Sequence, residues 1–214
     1  MTPEFSVGEE IAHSLTHGLG VILSVIGLVV LIADAVRFGN AWHIVSCAVF
    51  GVTLILLYSA STLYHSIPLP RAKRVLRYID HSAIFLLIAG TYTPFTLVSL
   101  NGGWGWSLFG VIWGLALIGI VFKAVALERF RILSVALYIV MGWIVAVALE
   151  PLARAVEPRG LLLLFLGGGA YTLGVIFYGW KRLAYNHAIW HVFVLTGSVL
   201  HYLAVFLYVI PRPR

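Results

Sequence analysis

Apolar residues along this chain run nearly unbroken in long stretches, interrupted only by short clusters of charged and turn-forming residues. The runs fall roughly at 14 to 36, 43 to 66, 79 to 100, 104 to 123, 132 to 149, 160 to 180 and 187 to 210. About 20 apolar residues in a helix rising 1.5 Å per residue cover the ~30 Å of hydrocarbon in a bilayer. The pattern therefore predicts an all-α fold, a seven-transmembrane helix bundle, with residues 1 to 214 forming a single transmembrane domain. Between the runs lie Arg37 to Asn40, Pro68 to Arg77, Asn101-Gly102-Gly103, Glu128 to Arg131, Glu150 to Arg159 and Lys181 to Asn186, all turn-like or charged.

Composition strengthens this reading. The 214 residues are 61% apolar and only 10% charged, with a mean hydropathy of +1.01, against about 45 to 50% and 25% in soluble domains. Seven spans and their connections use up the length, so no separate soluble domain for protein partners is expected. The net charge of +6 sits between the apolar runs, where it sets topology and meets lipid headgroups, so nucleic-acid binding is not expected. Arg71, Lys73, Arg74, Arg77, Lys123, Arg129, Arg131, Lys181 and Arg182 fall on one side, and Arg37, Arg154, Arg159, Arg212 and Arg214 on the other. The positive-inside rule places the N-terminus in the cytoplasm and the C-terminus outside. The acidic start (Glu4, Glu9, Glu10) lacks the basic region of a cleaved signal, so the first run is expected to stay as a span. The single cysteine, Cys47, lies in an apolar run, which excludes an intrachain disulfide and a cysteine-built metal site.

Ionisable residues at membrane depth are costly and mark function. His65 ends the second run, Asp80 opens the third, and His187 and His191 open the seventh, all on the N-terminal side of the membrane. His187 and His191 are four apart and share a helix face, as do Ser61 and His65. Three imidazoles match a catalytic zinc site whose fourth position holds water, and Asp80 would hold or deprotonate that water. Each piece has a structural reading too: interfacial histidines, an Asp80 that caps a helix or pairs with Arg77, a Ser61 bonded back to the Leu57 carbonyl. His43 and His81 read most simply as interfacial. His13 and His17 repeat the four-residue spacing on the same face, and spacing alone does not choose between the pairs. His201 lies ten residues beyond His191, about 15 Å deeper, too far for the same ion.

The set Ser61-x-x-x-His65, Asp80 and His187-x-x-x-His191 resembles the haemolysin III family of bacterial membrane proteins, relatives of the progestin and adipoQ receptors within a superfamily that includes alkaline ceramidases. The resemblance covers nearly the whole chain. It implies that His65, His187 and His191 bind zinc, that Asp80 contacts the zinc-bound water and that Ser61 supports the site from behind. It also implies a bacterial cytoplasmic (inner) membrane location with the N-terminus inside, and leaves His13 and His17 outside the ligand set, as supporting or interfacial residues.

Three activities fit these expectations. The first is a zinc-dependent hydrolase of a lipid amide or ester, drawing its substrate from membrane lipids. The second is a sensor or regulator of membrane state in which zinc staples helices. The third, a pore, needs polar residues along whole helix faces, and the fourth to sixth runs carry almost none. Other features read as structural: Gly110-x-x-x-Gly114 and Gly167-Gly168-Gly169 as close-packing surfaces, Pro94 as a kink, and Trp104, Trp106, Trp180 and Trp190 as an aromatic belt.

Overall fold

A computed structural model describes residues 5–126 and 131–211. Among the expected charges, Glu4, Glu128, Arg129, Arg212 and Arg214 lie outside these residues. The described residues form eight α-helices: α1 (Val7–Phe38), α2 (Ala41–Ser66), α3 (Pro70–Pro94), α4 (Gly102–Ala126), α5 (Arg131–Trp143), α6 (Leu149–Ala155), α7 (Pro158–Gly179) and α8 (Asn186–Tyr208). A π-helical stretch, Phe95–Leu100, prolongs α3, and a 3-10 turn, Ile144–Ala148, joins α5 to α6. Among the described residues, seven helical segments are long and apolar enough to cross a membrane.

The helices show why such a chain needs lipid. On α1 the residues Ile11, Leu15, Leu19, Ile22, Ile26 and Val29 form an exposed stripe, while His13, His17, Gly20 and Ser24 on the opposite face are buried. Leu15 is 69% exposed and His13 0%. A water-soluble helix turns its apolar stripe to the core; here the polar and small residues face inward, and the apolar face meets solvent that must itself be apolar. Small residues let the backbones close up. A Cβ added at Gly20 would stand 2.5 Å from the Tyr58 ring, and one at Gly90 would stand 2.1 Å from Thr53 Oγ1.

Side chains tie several helix ends together. Ser6 caps α1, its Oγ accepting from the Glu9 amide (3.3 Å) while Glu9 Oε2 accepts from the Ser6 amide (2.9 Å), a reciprocal capping box. Glu9 Oε1 also accepts from the backbone amide of Tyr185 (3.3 Å), so the starts of α1 and α8 are held at one level. Asn186 opens α8 and donates from Nδ2 to the carbonyls of Phe177 and Tyr178 at the end of α7 (3.0 and 3.2 Å), satisfying groups that helix ends leave open.

Several local expectations are corrected. Asp80 does not open the third span: α3 begins at Pro70, so the basic stretch Arg71 to Arg77 is its first turns and Asp80 lies beyond them. Long basic side chains near a helix end reach back to the interface, so charge there does not stop a helix. Lys123 is no loop charge; it lies inside α4 and is 2% exposed. A Cβ at Gly110, Gly114 or Gly169 meets nothing within 4 Å, whereas Gly167 packs against the His201 ring. Pro94 sits inside its helix and is followed directly by the π-helical stretch, as expected where a backbone donor is missing. Trp104, Trp106 and Trp180 are exposed, but Trp190 lines an internal cavity.

Candidate metal centre

At the end of the bundle where α1, α3 and α8 begin and α2 ends, His65, His187 and His191 each offer a ring nitrogen, and these atoms all lie within 4.8 Å of one another. The three residues are buried. The rings of His65 and His187 lie 5.3 Å apart, those of His65 and His191 5.3 Å, and those of His187 and His191 4.6 Å. Three helical turns of α8 are not needed to bring the last pair together; the four-residue spacing does it.

The interface reading of His13 and His17 is overturned. Both are buried, His13 at 0% and His17 at 3% exposure. His13 lies 4.5 Å from the His65 ring, 4.8 Å from His187 and 5.3 Å from His191. His17 stacks flat on His191, with centroids 3.5 Å apart and planes 5° from parallel. His43 is buried away from this group, its Nδ1 2.9 Å from Asn40 Oδ1. His81 Nδ1 is 2.8 Å from the Arg77 carbonyl oxygen, and His201 Nε2 is 2.9 Å from the Leu164 carbonyl oxygen.

Hydrogen bonds fix how two of the rings present themselves. His65 Nδ1 is 2.6 Å from Glu10 Oε2; facing a carboxylate, that nitrogen carries the proton, and the lone pair falls on Nε2. His191 Nδ1 faces the His13 carbonyl oxygen (3.3 Å) and Thr16 Oγ1 (3.2 Å). The Thr16 hydroxyl has carbonyl oxygens of Ala12 and His13 to donate to, at 2.8 and 2.9 Å, so it accepts from His191, whose lone pair is also on Nε2. Metal-binding histidines are characteristically held this way, the far nitrogen donating to a carboxylate or carbonyl. His187 Nδ1 and both ring nitrogens of His13 and His17 are buried without a hydrogen-bond partner. Each such group costs about 1 to 3 kcal/mol unless something satisfies it. A buried histidine group with an adjacent Glu10 can thus hold a metal ion, imidazole nitrogens being donors that divalent transition metals accept.

Beside the histidines lies a cavity of about 140 Å³, lined by residues that include Ser61, Asp80, Lys123, His187, His191 and His201. Most of its wall is apolar, from Leu57, Ile84, Leu87, Ile88, Val135 and Val194 among others. Asp80 comes from α3 and Ser61 from α2, one turn before His65; the Ser61 hydroxyl does not bond back to Leu57. Lys123 lines the same cavity as Asp80 and lies 5.8 Å over the Tyr138 ring. Below the histidines, Tyr58 donates to Ser198 Oγ (2.7 Å) and Tyr171 bonds the same hydroxyl (2.8 Å), tying α2, α7 and α8 together.

Comparison with known proteins completes the picture. The family model described as haemolysin-III related matches residues 5–202. The chain belongs to this family. It is 50% identical over 209 residues to the hemolysin-3 homolog of Bacillus subtilis (strain 168), covering 98% of each chain. It is 48% identical over 205 residues to hemolysin-3 of Bacillus cereus, covering 96% of this chain and 94% of that one. Human monocyte to macrophage differentiation factor is 25% identical over 213 residues, covering 96% of this chain and 86% of the relative. The family's bacterial members and the seven spans make this a multi-pass membrane protein.

Glu10 and Lys123 are the polar residues that reading by runs missed. Glu10 had a signal, the Ser6-x-x-Glu9 capping box that starts a helix before the first apolar run. Lys123 had none that separates it from a loop lysine.

Proposed function

We propose that the protein is a zinc-dependent hydrolase of a lipid amide or ester, with His65, His187 and His191 holding the metal. The observation that carries this reading is the opening of the histidine group onto an apolar cavity whose wall also presents Asp80 and Ser61. When bound, a zinc ion supplies Lewis acidity toward a carbonyl and lowers the pKa of a water to about 7. The chain's residues do the rest. The apolar wall takes an acyl chain and excludes bulk water. Asp80 accepts a proton from the attacking water as its oxygen bonds to the carbonyl carbon, and returns it to the nitrogen or oxygen that leaves. Lys123 and Ser61 line the same cavity as Asp80, offering a cation and a hydroxyl on its wall.

Elemental analysis of detergent-purified protein, with hydrolysis assays on a panel of lipid amides and esters, tests this. About one zinc per chain and turnover of one lipid class are expected. Zinc without turnover would replace the hydrolase by a sensor whose metal staples α2, α3 and α8.

The reading also places the metal centre at the cytoplasmic face of the bacterial inner membrane. Its support is the crowding of Arg71, Lys73, Arg74 and Arg77 at the same end of the bundle. In a Cys47→Ala background, a membrane-impermeant thiol reagent applied to intact cells should label Gly103→Cys and spare Ser66→Cys. Both positions are exposed, so the reverse pattern would invert the topology.

A further inference from the structure

His65 belongs to two groups. Besides its place with His187 and His191, it stands with Glu10 and His13, whose ligand atoms also lie within 4.8 Å of one another. Glu10 Oε2 is 2.6 Å from His65 Nδ1 and 3.9 Å from His13 Nδ1. The other carboxylate oxygen, Oε1, is taken by Lys73 Nζ, so Oε2 is the one turned to the histidines. The Glu10 side chain is 20% exposed while those of His13 and His65 are 0%. The trio therefore links the surface to the interior, with a carboxylate outside and imidazoles within.

We propose that Glu10, His13 and His65 form a second, outer divalent-cation site that captures the ion and hands it to the inner site through His65. This rests on the reading of His65, His187 and His191 as the resident metal centre. One carboxylate and two imidazoles are a competent set for a divalent transition metal. The two sites are occupied in alternation, because the outer one uses His65 Nδ1 and the inner one Nε2. With the ion outside, Nδ1 gives it a lone pair and the ring proton sits on Nε2. On transfer, Nε2 releases that proton to solvent and binds the ion, while Nδ1 takes up a proton and donates it to Glu10 Oε2. The ring stays neutral and no net proton is consumed. His13 gains a role consistent with its two buried nitrogens lacking a hydrogen-bond partner.

Metal-free protein mixed with Co²⁺ in a stopped-flow spectrometer tests this through the ligand-field absorbance of the bound ion. His13→Asn should slow uptake by about tenfold or more, in line with losses at residues that support metal sites, and still reach one ion per chain. The His187→Ala/His191→Ala double variant, checked for helicity, should bind one Co²⁺ weakly, and adding His13→Asn should abolish that binding. Unchanged uptake in His13→Asn overturns the outer site while leaving the inner one standing, and so does a helical double variant that binds nothing. If the wild-type chain takes up no metal at all, the inner-site reading falls and the outer site with it.

Discussion

If His191 is a zinc ligand, His191→Ala should strip the protein of zinc and lower its melting temperature, and most of that drop should disappear when both proteins are measured in chelator. A ligand that binds only the folded state stabilises it by RT ln(1 + [L]/Kd), about 4 kcal/mol at a thousandfold excess over Kd. His191 would contribute one of three ligand nitrogens, so its loss removes most of this term. A smaller effect persists without metal, because the substitution also removes the ring that stacks on His17 and bonds Thr16 and the His13 carbonyl. Metal analysis and thermal unfolding in detergent, each with and without chelator, separate the two parts. A melting shift of equal size in both conditions would mean that His191 is a packing residue only.

On the hydrolase reading, Asp80→Asn should leave zinc content and folding near wild type and lower lipid hydrolysis by about 10² to 10⁴, the usual worth of a positioned general base. Asparagine matches aspartate in shape and keeps a hydrogen-bonding oxygen, but its amide cannot accept the proton of an attacking water. Rates on the lipid that the wild type cleaves, measured beside metal content, decide the matter. A wild-type rate from a zinc-loaded Asp80→Asn protein would remove Asp80 from the chemistry, and loss of zinc would make it a structural support of the histidines.

The number of spans and the meeting of His65, His187 and His191 at one level were legible because both depend on lengths. An apolar run has to match a bilayer, and residues near consecutive span ends share a depth whatever the packing angles. What stayed hidden depends on how ends are made. The first helix starts seven residues before its apolar run, at Val7 instead of residue 14, because a capping box and two glutamates extend it. Glu10 and His13 therefore looked like tail and interface. The third starts at Pro70, since its basic first turns can reach the headgroups, which moved Asp80 from a helix end to a helix interior. Lys123 was counted with the loops because a lysine at the end of an apolar run looks alike whether it turns outward or into a cavity. Gly110 and Gly114 show the same limit: a small-residue motif says that a neighbour can approach, and only the arrangement of helices says whether one does.

The tie between Glu9 and the amide of Tyr185 joins residues 176 positions apart, and it has a consequence for the order in which the protein is made. During synthesis α1 enters the membrane with His13 and His17 on a face that has no α8 to cover it, and α2 follows with His65. Until α8 is inserted the nascent chain holds these imidazoles without His187 and His191, and neither the histidine group nor the wall of the cavity is complete. On the reading proposed above, the inner centre of His65, His187 and His191 can form only in chains that have inserted α8, whereas Glu10, His13 and His65 of the outer group arrive with α1 and α2.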